Sequence, residues 1–249
     1  MNNEQYRNLM WHLRYVESLL ENVADATIVE RNFECPVCKS KLRVFLPFGE
    51  NPRPNAQCPN CQSLERHRAL WLLMQNLNWH KENMRVLHFA PEEIFYRLFS
   101  SFKDIDYWTA DLEPQNYHGM VRKQVDITDI TFDDNFFDLI MCTHVLEHIP
   151  DDRKAMSELY RVLKPGGLAF LNVPIFNIPQ TFEDPRINTP ELRSEYYGQF
   201  DHVRAYGQDY PQRLQEAGFE VQLFTVNDEK ILKRYGLDRN EKIFLCRKG

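Results

Sequence analysis

Cys35, Cys38, Cys58 and Cys61 form a C-x2-C-x19-C-x2-C pattern. Each CxxC turn can bring two thiolates to one ion, and this spacing belongs to zinc sites. Four sulfurs close a tetrahedron and leave no open position, so the expected role is structural. A module this short cannot bury a core of its own, so the ion would supply its folding energy. The alternative is two separate redox pairs. Cys142 and Cys246 read as buried apolar residues.

Further chemistry is expected where strands end. Asp111 lies 23 residues after His88, the distance at which an acid commonly meets the ribose hydroxyls of a nucleotide. Asp126 can accept from an adenine amino group while Ile127 covers the ring. Thr143, His144, Glu147 and His148 follow another strand. His144 and His148 at i, i+4 could hold a divalent ion. The HExxH order is absent and no third ligand is fixed by spacing, so a wall facing cofactor or substrate is the favoured reading. Between residues 174 and 206 lies a Pro-rich excursion dense in acids, histidine, arginine and tyrosine. Its length in a compact domain points to a substrate lid. His202 is the first choice of general base, with Glu183 and Asp184 as alternatives. Arg186 and Arg204, with Tyr206, could clamp an anionic substrate. Arg66, beside the last cysteine pair, could do the same.

The elements that must hold these residues follow from periodicity. Leu9, Leu13, Val16, Leu19 and Leu20 fall at helical spacing, so residues 1–30 read as a packing or dimerisation helix. Residues 31–63 form the zinc-ribbon module, with a strand over 41–48. A helix over 63–77 comes next. From residue 85 strands and helices alternate, with strands at 85–89, 106–110, 123–125, 137–143, 168–173, 220–226 and 243–247. Helices are expected over 92–101, 151–163 and 208–217. The KPGG of Lys164–Gly167 should stop the second of these. Parallel strands with crossover helices predict a doubly wound, Rossmann-like α/β sheet of seven strands. The large domain is expected over 64–249.

Composition narrows the classes. The chain has 249 residues, 43% of them hydrophobic and 27% charged, as in an ordinary folded protein. Nine glycines are few, and none lies between Gly49 and Gly119. A GxGxxG or P-loop phosphate cradle is therefore excluded there. A net charge of −6 with no basic run weighs against nucleic acid as a partner. The N-terminus shows no signal peptide or membrane-spanning run, so a cytoplasmic protein with no membrane attachment is expected.

The stretches VLHFAPE, YWTADLEP, DITDITFDDNFFDLIMCTHVLEHIPDD and ELYRVLKPGGLAFLNVP together resemble a class I S-adenosylmethionine-dependent methyltransferase of the type 11 kind. The acid after the third strand, the HVLEH turn and LKPGG are the most specific parts. The whole chain also resembles a bacterial methyltransferase subgroup with an N-terminal zinc ribbon and a QFDHVRAYG segment. The resemblance implies S-adenosylmethionine as methyl donor. Asp111 and Leu112 would hold its ribose, and Asp126 and Ile127 its adenine. Thr143 and His144 would line the methionine portion or the reaction chamber. His88, Ala90 and Glu92 of the first loop would approach the carboxypropyl tail. The final strand would be the antiparallel edge strand. One departure stands out. The family usually has D-x-G-x-G-x-G, where this chain has His88-Phe89-Ala90-Pro91-Glu92-Glu93-Ile94. Pro91 removes a donor, and Glu92 places a carboxylate beside the donor's tail, where it could pair with the ammonium.

The expected function is methyl transfer to a small or medium polar metabolite at oxygen or nitrogen. An RNA methyltransferase using its zinc ribbon for recognition is one alternative. A non-catalytic zinc-scaffolded binding protein is another. The N-terminal helix would suit a homodimer.

Overall fold

The structure, a computed structural model, describes residues 13–17, 20, 32–49 and 52–249. Residues 13–17 and 20 are helical; the rest of the expected N-terminal helix lies outside the described residues, as does most of the surface offered for a homodimer. The chain divides into two compact units. No helix among the described residues is long and apolar enough to cross a membrane.

The first unit joins the residues up to Trp79 with Thr225–Glu241. It contains two small antiparallel hairpins, β1 (Phe33–Glu34) with β2 (Lys41–Leu42) and β3 (Leu46–Phe48) with β4 (Arg53–Gln57). The expected strand over 41–48 is thus broken in two. Helix α1 (Glu65–Asn76) follows the last cysteine pair. A helix not foreseen from the sequence, Glu229–Tyr235, completes the unit. Arg68 explains why these distant segments fold together. Its guanidinium is fully buried and donates to the carbonyl oxygens of Asn55, Ala56, Ser63, Tyr235 and Gly236. It also lies 3.9 Å from the Phe45 ring centroid. The helix 229–235 ends on Gly236 at φ +57°, and a Cβ there would come within 2.5 Å of Phe45 Cδ2. Only glycine meets both demands.

The second unit, His80–Phe224 with Lys242–Gly249, is built on a seven-stranded sheet. Its strands are β5 (Arg85–Phe89), β6 (Asp106–Asp111), β7 (Lys123–Gln124), β8 (Phe137–Thr143), β9 (Leu163–Asn172), β10 (Glu220–Phe224) and β11 (Ile243–Arg247), ordered β10-β11-β9-β8-β5-β6-β7. Strands β5 to β9 pair in parallel, and β11 runs antiparallel to both β9 and β10. This is the expected doubly wound sheet with an antiparallel last strand. The edge is different: β10, not β11, ends the sheet. The burial patterns carry the reason, because β11 is apolar and almost wholly buried while β10 alternates with exposed residues.

Alternation along β5 gives each face its helices. Leu87 and Phe89 join the core under Ala155, Met156 and Leu159 of helix α2 (Asp152–Val162) and Leu214 of helix α3 (Tyr210–Glu216). On the other face His88 meets Phe95 and Phe99 of the helix Glu93–Ser101. Strand β9 begins at Leu163, earlier than the expected 168. Leu163 pairs with Phe137 and Leu168 with Leu139, so the KPGG residues form a bulge in the strand rather than a loop before it. The excursion over 174–206 contains the helix Pro190–Tyr197 and is tied back by bridges from Ile175 to Tyr206 and Phe182 to Ala205. Gly207 closes it, where a Cβ would sit 2.5 Å from the Gln180 carbonyl carbon.

Candidate functional site

The first site is the cysteine cluster. The Cys35 and Cys58 segments fold alike. Lys39 N–H donates to the Cys35 carbonyl and Gln62 N–H to the Cys58 carbonyl, with both Lys39 and Gln62 in the left-handed region. The four sulfurs lie within 4.8 Å of one another, with Cys35 to Cys61 at 3.6 Å and Cys38 to Cys58 at 3.7 Å. A tetrahedral ion with Zn–S bonds of about 2.3 Å separates its sulfurs by about 3.8 Å, so the donor set fits zinc. Hydrogen bonds from Cys58 and Cys61 draw Cys35 towards its thiolate. Arg66 belongs to this unit, not to the one that carries the remaining site residues.

The second site lies at the carboxyl ends of the parallel strands. Strand order reverses at β5, whose neighbours are β6 and β8. Such a switch point opens a crevice for ligands. Three carboxylates gather on adjacent strands there. Glu92 follows β5, and its Oε2 accepts from Thr143 Oγ1 at 2.9 Å, so the first loop is fastened to the end of β8. Asp111 ends β6 and accepts the Glu113 N–H at 2.8 Å. Asp126 follows β7 and accepts from both Thr128 N–H and Thr128 Oγ1, which hold its carboxyl below the usual range. Ile127 beside it is buried, and Leu112 is exposed.

Ala90 stands at φ +47°, the left-handed conformation that glycine would adopt without strain. The backbone of a glycine loop is therefore kept without the glycine. The strain gives a test. Ala90→Gly should raise stability by about 0.5–1 kcal/mol, since the left-handed region costs an L-residue about 1–2 kcal/mol and glycine returns part of that through chain entropy. Urea unfolding measures it; a destabilised variant would contradict the loop conformation.

His88 is placed away from this loop. It is fully buried, with Nδ1 2.8 Å from the Tyr107 hydroxyl. Burial pushes the Tyr107 pKa up, so the phenol keeps its proton beside the imidazole. It serves the core.

Beyond β8 the chain turns through Leu146–His148. His144 sits at φ +57°, with Nδ1 3.4 Å from Glu147 Oε1. His148 and His202 meet edge to face at 4.7 Å. His202 is brought there from the excursion, and Val203 N–H donates to the Glu147 carbonyl. The other excursion residues make the following contacts. Arg204 is 2% exposed and donates to the carbonyls of Leu146, Ile149 and Pro150. It also pairs with Glu183, which Arg213 holds from the other side at 2.7 Å. Tyr206 is buried with its hydroxyl on Asp152. Arg204 and Tyr206 thus fix the turn after β8, while Asp184 pairs with the exposed Arg186. Arg213 and Asp152, which complete this ion cluster, were missed. Nothing in their local sequence separates them from surface helix charges.

Comparisons with known proteins bear on the same strands. Residues 86–171 match the family model described as a methyltransferase domain. The match spans β5 to β9, the strands that carry Glu92, Asp111, Asp126 and Thr143. The demethylmenaquinone methyltransferase of Staphylococcus carnosus is 50% identical over 55 residues, 22% of this chain and 23% of that one. The ubiquinone/menaquinone biosynthesis C-methyltransferase UbiE of Brucella canis is 32% identical over 107 residues, 37% of this chain and 39% of that one. The matched part therefore spans less than half of these relatives. Among solved structures, an S-adenosylmethionine-dependent methyltransferase from Mesorhizobium loti superposes with a TM-score of 0.49 at 14% identity, covering 72% of this chain and 98% of that one.

Proposed function

We propose that the second unit transfers a methyl group from S-adenosylmethionine to a small polar acceptor. The observation that carries this reading is the set of three carboxylates, Glu92, Asp111 and Asp126, at the ends of three adjacent strands beside the switch point. They suit the donor's ammonium, ribose hydroxyls and adenine amino group in turn. Ile127 and Leu112 offer apolar cover for the adenosine. The donor, when bound, supplies an already activated methyl group. The protein's task is to align an acceptor and exclude water. His144, His148 and His202 wall the acceptor side, and His144 and His202 are the imidazoles available to take an acceptor proton. The four cysteines hold a structural zinc ion. The net charge of −6 favours a metabolite over RNA.

Thermal unfolding with S-adenosylhomocysteine tests this. At 100 times its dissociation constant the ligand should add about 2.7 kcal/mol. Asp111→Ala should lose that gain and keep its zinc. Equal gains in both proteins would remove Asp111 from the donor site.

A further inference from the structure

Glu147 is 1% exposed, and neither carboxylate oxygen has a hydrogen-bond partner. A buried carboxylate left so is costly by several kcal/mol unless a cation meets it. The guanidinium of Arg204 spends its two terminal nitrogens on three carbonyls and Glu183, and its Nε, without a hydrogen bond, lies 3.8 Å from Asp152 Oδ2. Imidazoles surround Glu147 instead, with His144 Nδ1 3.4 Å from its Oε1 but not hydrogen-bonded to it. His148 and His202 each offer a ligand atom, and these and a Glu147 oxygen lie within 4.8 Å of one another.

The contacts behind the two rings point the same way. His148 Nδ1 lies 3.3 Å from Asp201 Oδ2, and His202 Nδ1 lies 2.9 Å from the Tyr197 carbonyl oxygen. Metal-binding histidines are commonly oriented by such a carboxylate or carbonyl on the second nitrogen. Here those contacts leave Nε2 of each ring for an ion. Two imidazoles and one carboxylate suit a first-row divalent cation and leave further coordination positions open. His148 is only part-buried, so the cluster is reachable from solvent.

We propose that Glu147, His148 and His202 bind a divalent transition-metal cation, distinct from the cysteine site, that takes a hydroxyl group of the acceptor. This rests on the methyl-transfer reading for its purpose, not for its binding. A hydroxyl on the cation loses its proton more readily. The proton would pass to water, and the oxygen, keeping the electron pair, would form the O–CH3 bond as the donor's S–CH3 bond breaks and its electron pair goes to the sulfur, which leaves as the neutral thioether. The acceptor class is then an alcohol or phenol. His202 is a ligand in this account, and this replaces both the general base expected from the sequence and the proton-accepting role offered to it in the cation-free reading above.

The test is equilibrium dialysis of the zinc-loaded 249-residue chain against cobalt(II). The wild type should bind one cobalt beyond the cysteine zinc, with a spectrum lacking sulfur-to-metal charge transfer. Glu147→Gln and His202→Ala should each weaken that binding at least tenfold and retain zinc. Since either buried change could disturb folding, His148→Ala at the part-exposed ring is the third variant, with circular dichroism alongside. No cobalt beyond the cysteine site, or equal binding by folded variants, would overturn the proposal. S-adenosylhomocysteine binding in the same samples separates the two ideas. Donor binding without the cation sinks only the metal site; the cation without donor binding sinks only the methyl-transfer reading.

Discussion

Cys58→Ser is expected to unfold the first unit. The apolar cluster around the cysteines consists of Cys35, Leu42, Phe45 and Cys58, with Phe33, Val37 and Cys61 packed against it. Two of its four central members are the ligands themselves. Structural zinc contributes about 10–16 kcal/mol in comparable small modules, as much as a whole domain's usual margin of about 5–15 kcal/mol. The variant should lose its zinc completely, and limited proteolysis should cut between residues 32 and 64. Cys35→Ser should do the same, because the ligands share one ion. Retention of half the zinc in either variant would mean two independent sites. Arg68 sharpens the expectation. Burial lowers its pKa, while the charges of Cys35, Glu65, Cys58 and Cys61 support its protonated form. A tetrathiolate zinc site, if the cysteines hold one as proposed, would supply an anionic partner for this buried cation.

Arg204→Ala should be the most damaging single change in the second unit. It takes the Arg204 donors from the Leu146, Ile149 and Pro150 carbonyls, of which Leu146 keeps the Tyr206 hydroxyl, and leaves Glu183 with Arg213 alone. Removing one member of a buried ion cluster costs about 3–5 kcal/mol, roughly 10 °C in Tm for a chain of this size. Arg204→Lys should recover little, because one ammonium cannot replace the planar fork. A pH dependence follows. Burial raises the Glu183 pKa, but hydrogen bonds and charge from Arg204 and Arg213 outweigh it and leave it below its ordinary value. Its stabilising contribution is therefore complete above the ordinary glutamate pKa and disappears as pH falls through the depressed one. Urea midpoints between pH 7 and pH 3 should fall in the wild type, and less steeply in Arg204→Ala. Parallel curves would show that the pair does not act as described.

Strands β5, β8 and β11 were legible because each is a short apolar run bounded by turns. The cysteine site was legible because its ligands sit in two local motifs. Arg204 was not. An arginine in a Pro-rich excursion reads as exposed, and the carbonyls that bury it lie more than fifty residues earlier. Arg68 failed for a similar reason, since part of its socket is supplied by Tyr235 and Gly236. The glycine-poor first loop looked like a departure in backbone as well as in side chains. Ala90 keeps the left-handed backbone, and the departure reduces to the N–H that Pro91 lacks and the Glu92 side chain fastened by Thr143. The third member of the Glu147 cluster, His202, comes from an excursion that no spacing rule connects to the turn after β8.

Calorimetric titration of the zinc-loaded protein with S-adenosylhomocysteine tests the central claim most directly. One site per chain in the wild type, abolished or weakened at least a hundredfold by Asp111→Ala, is the expected result. No binding to the wild type at millimolar ligand would contradict it.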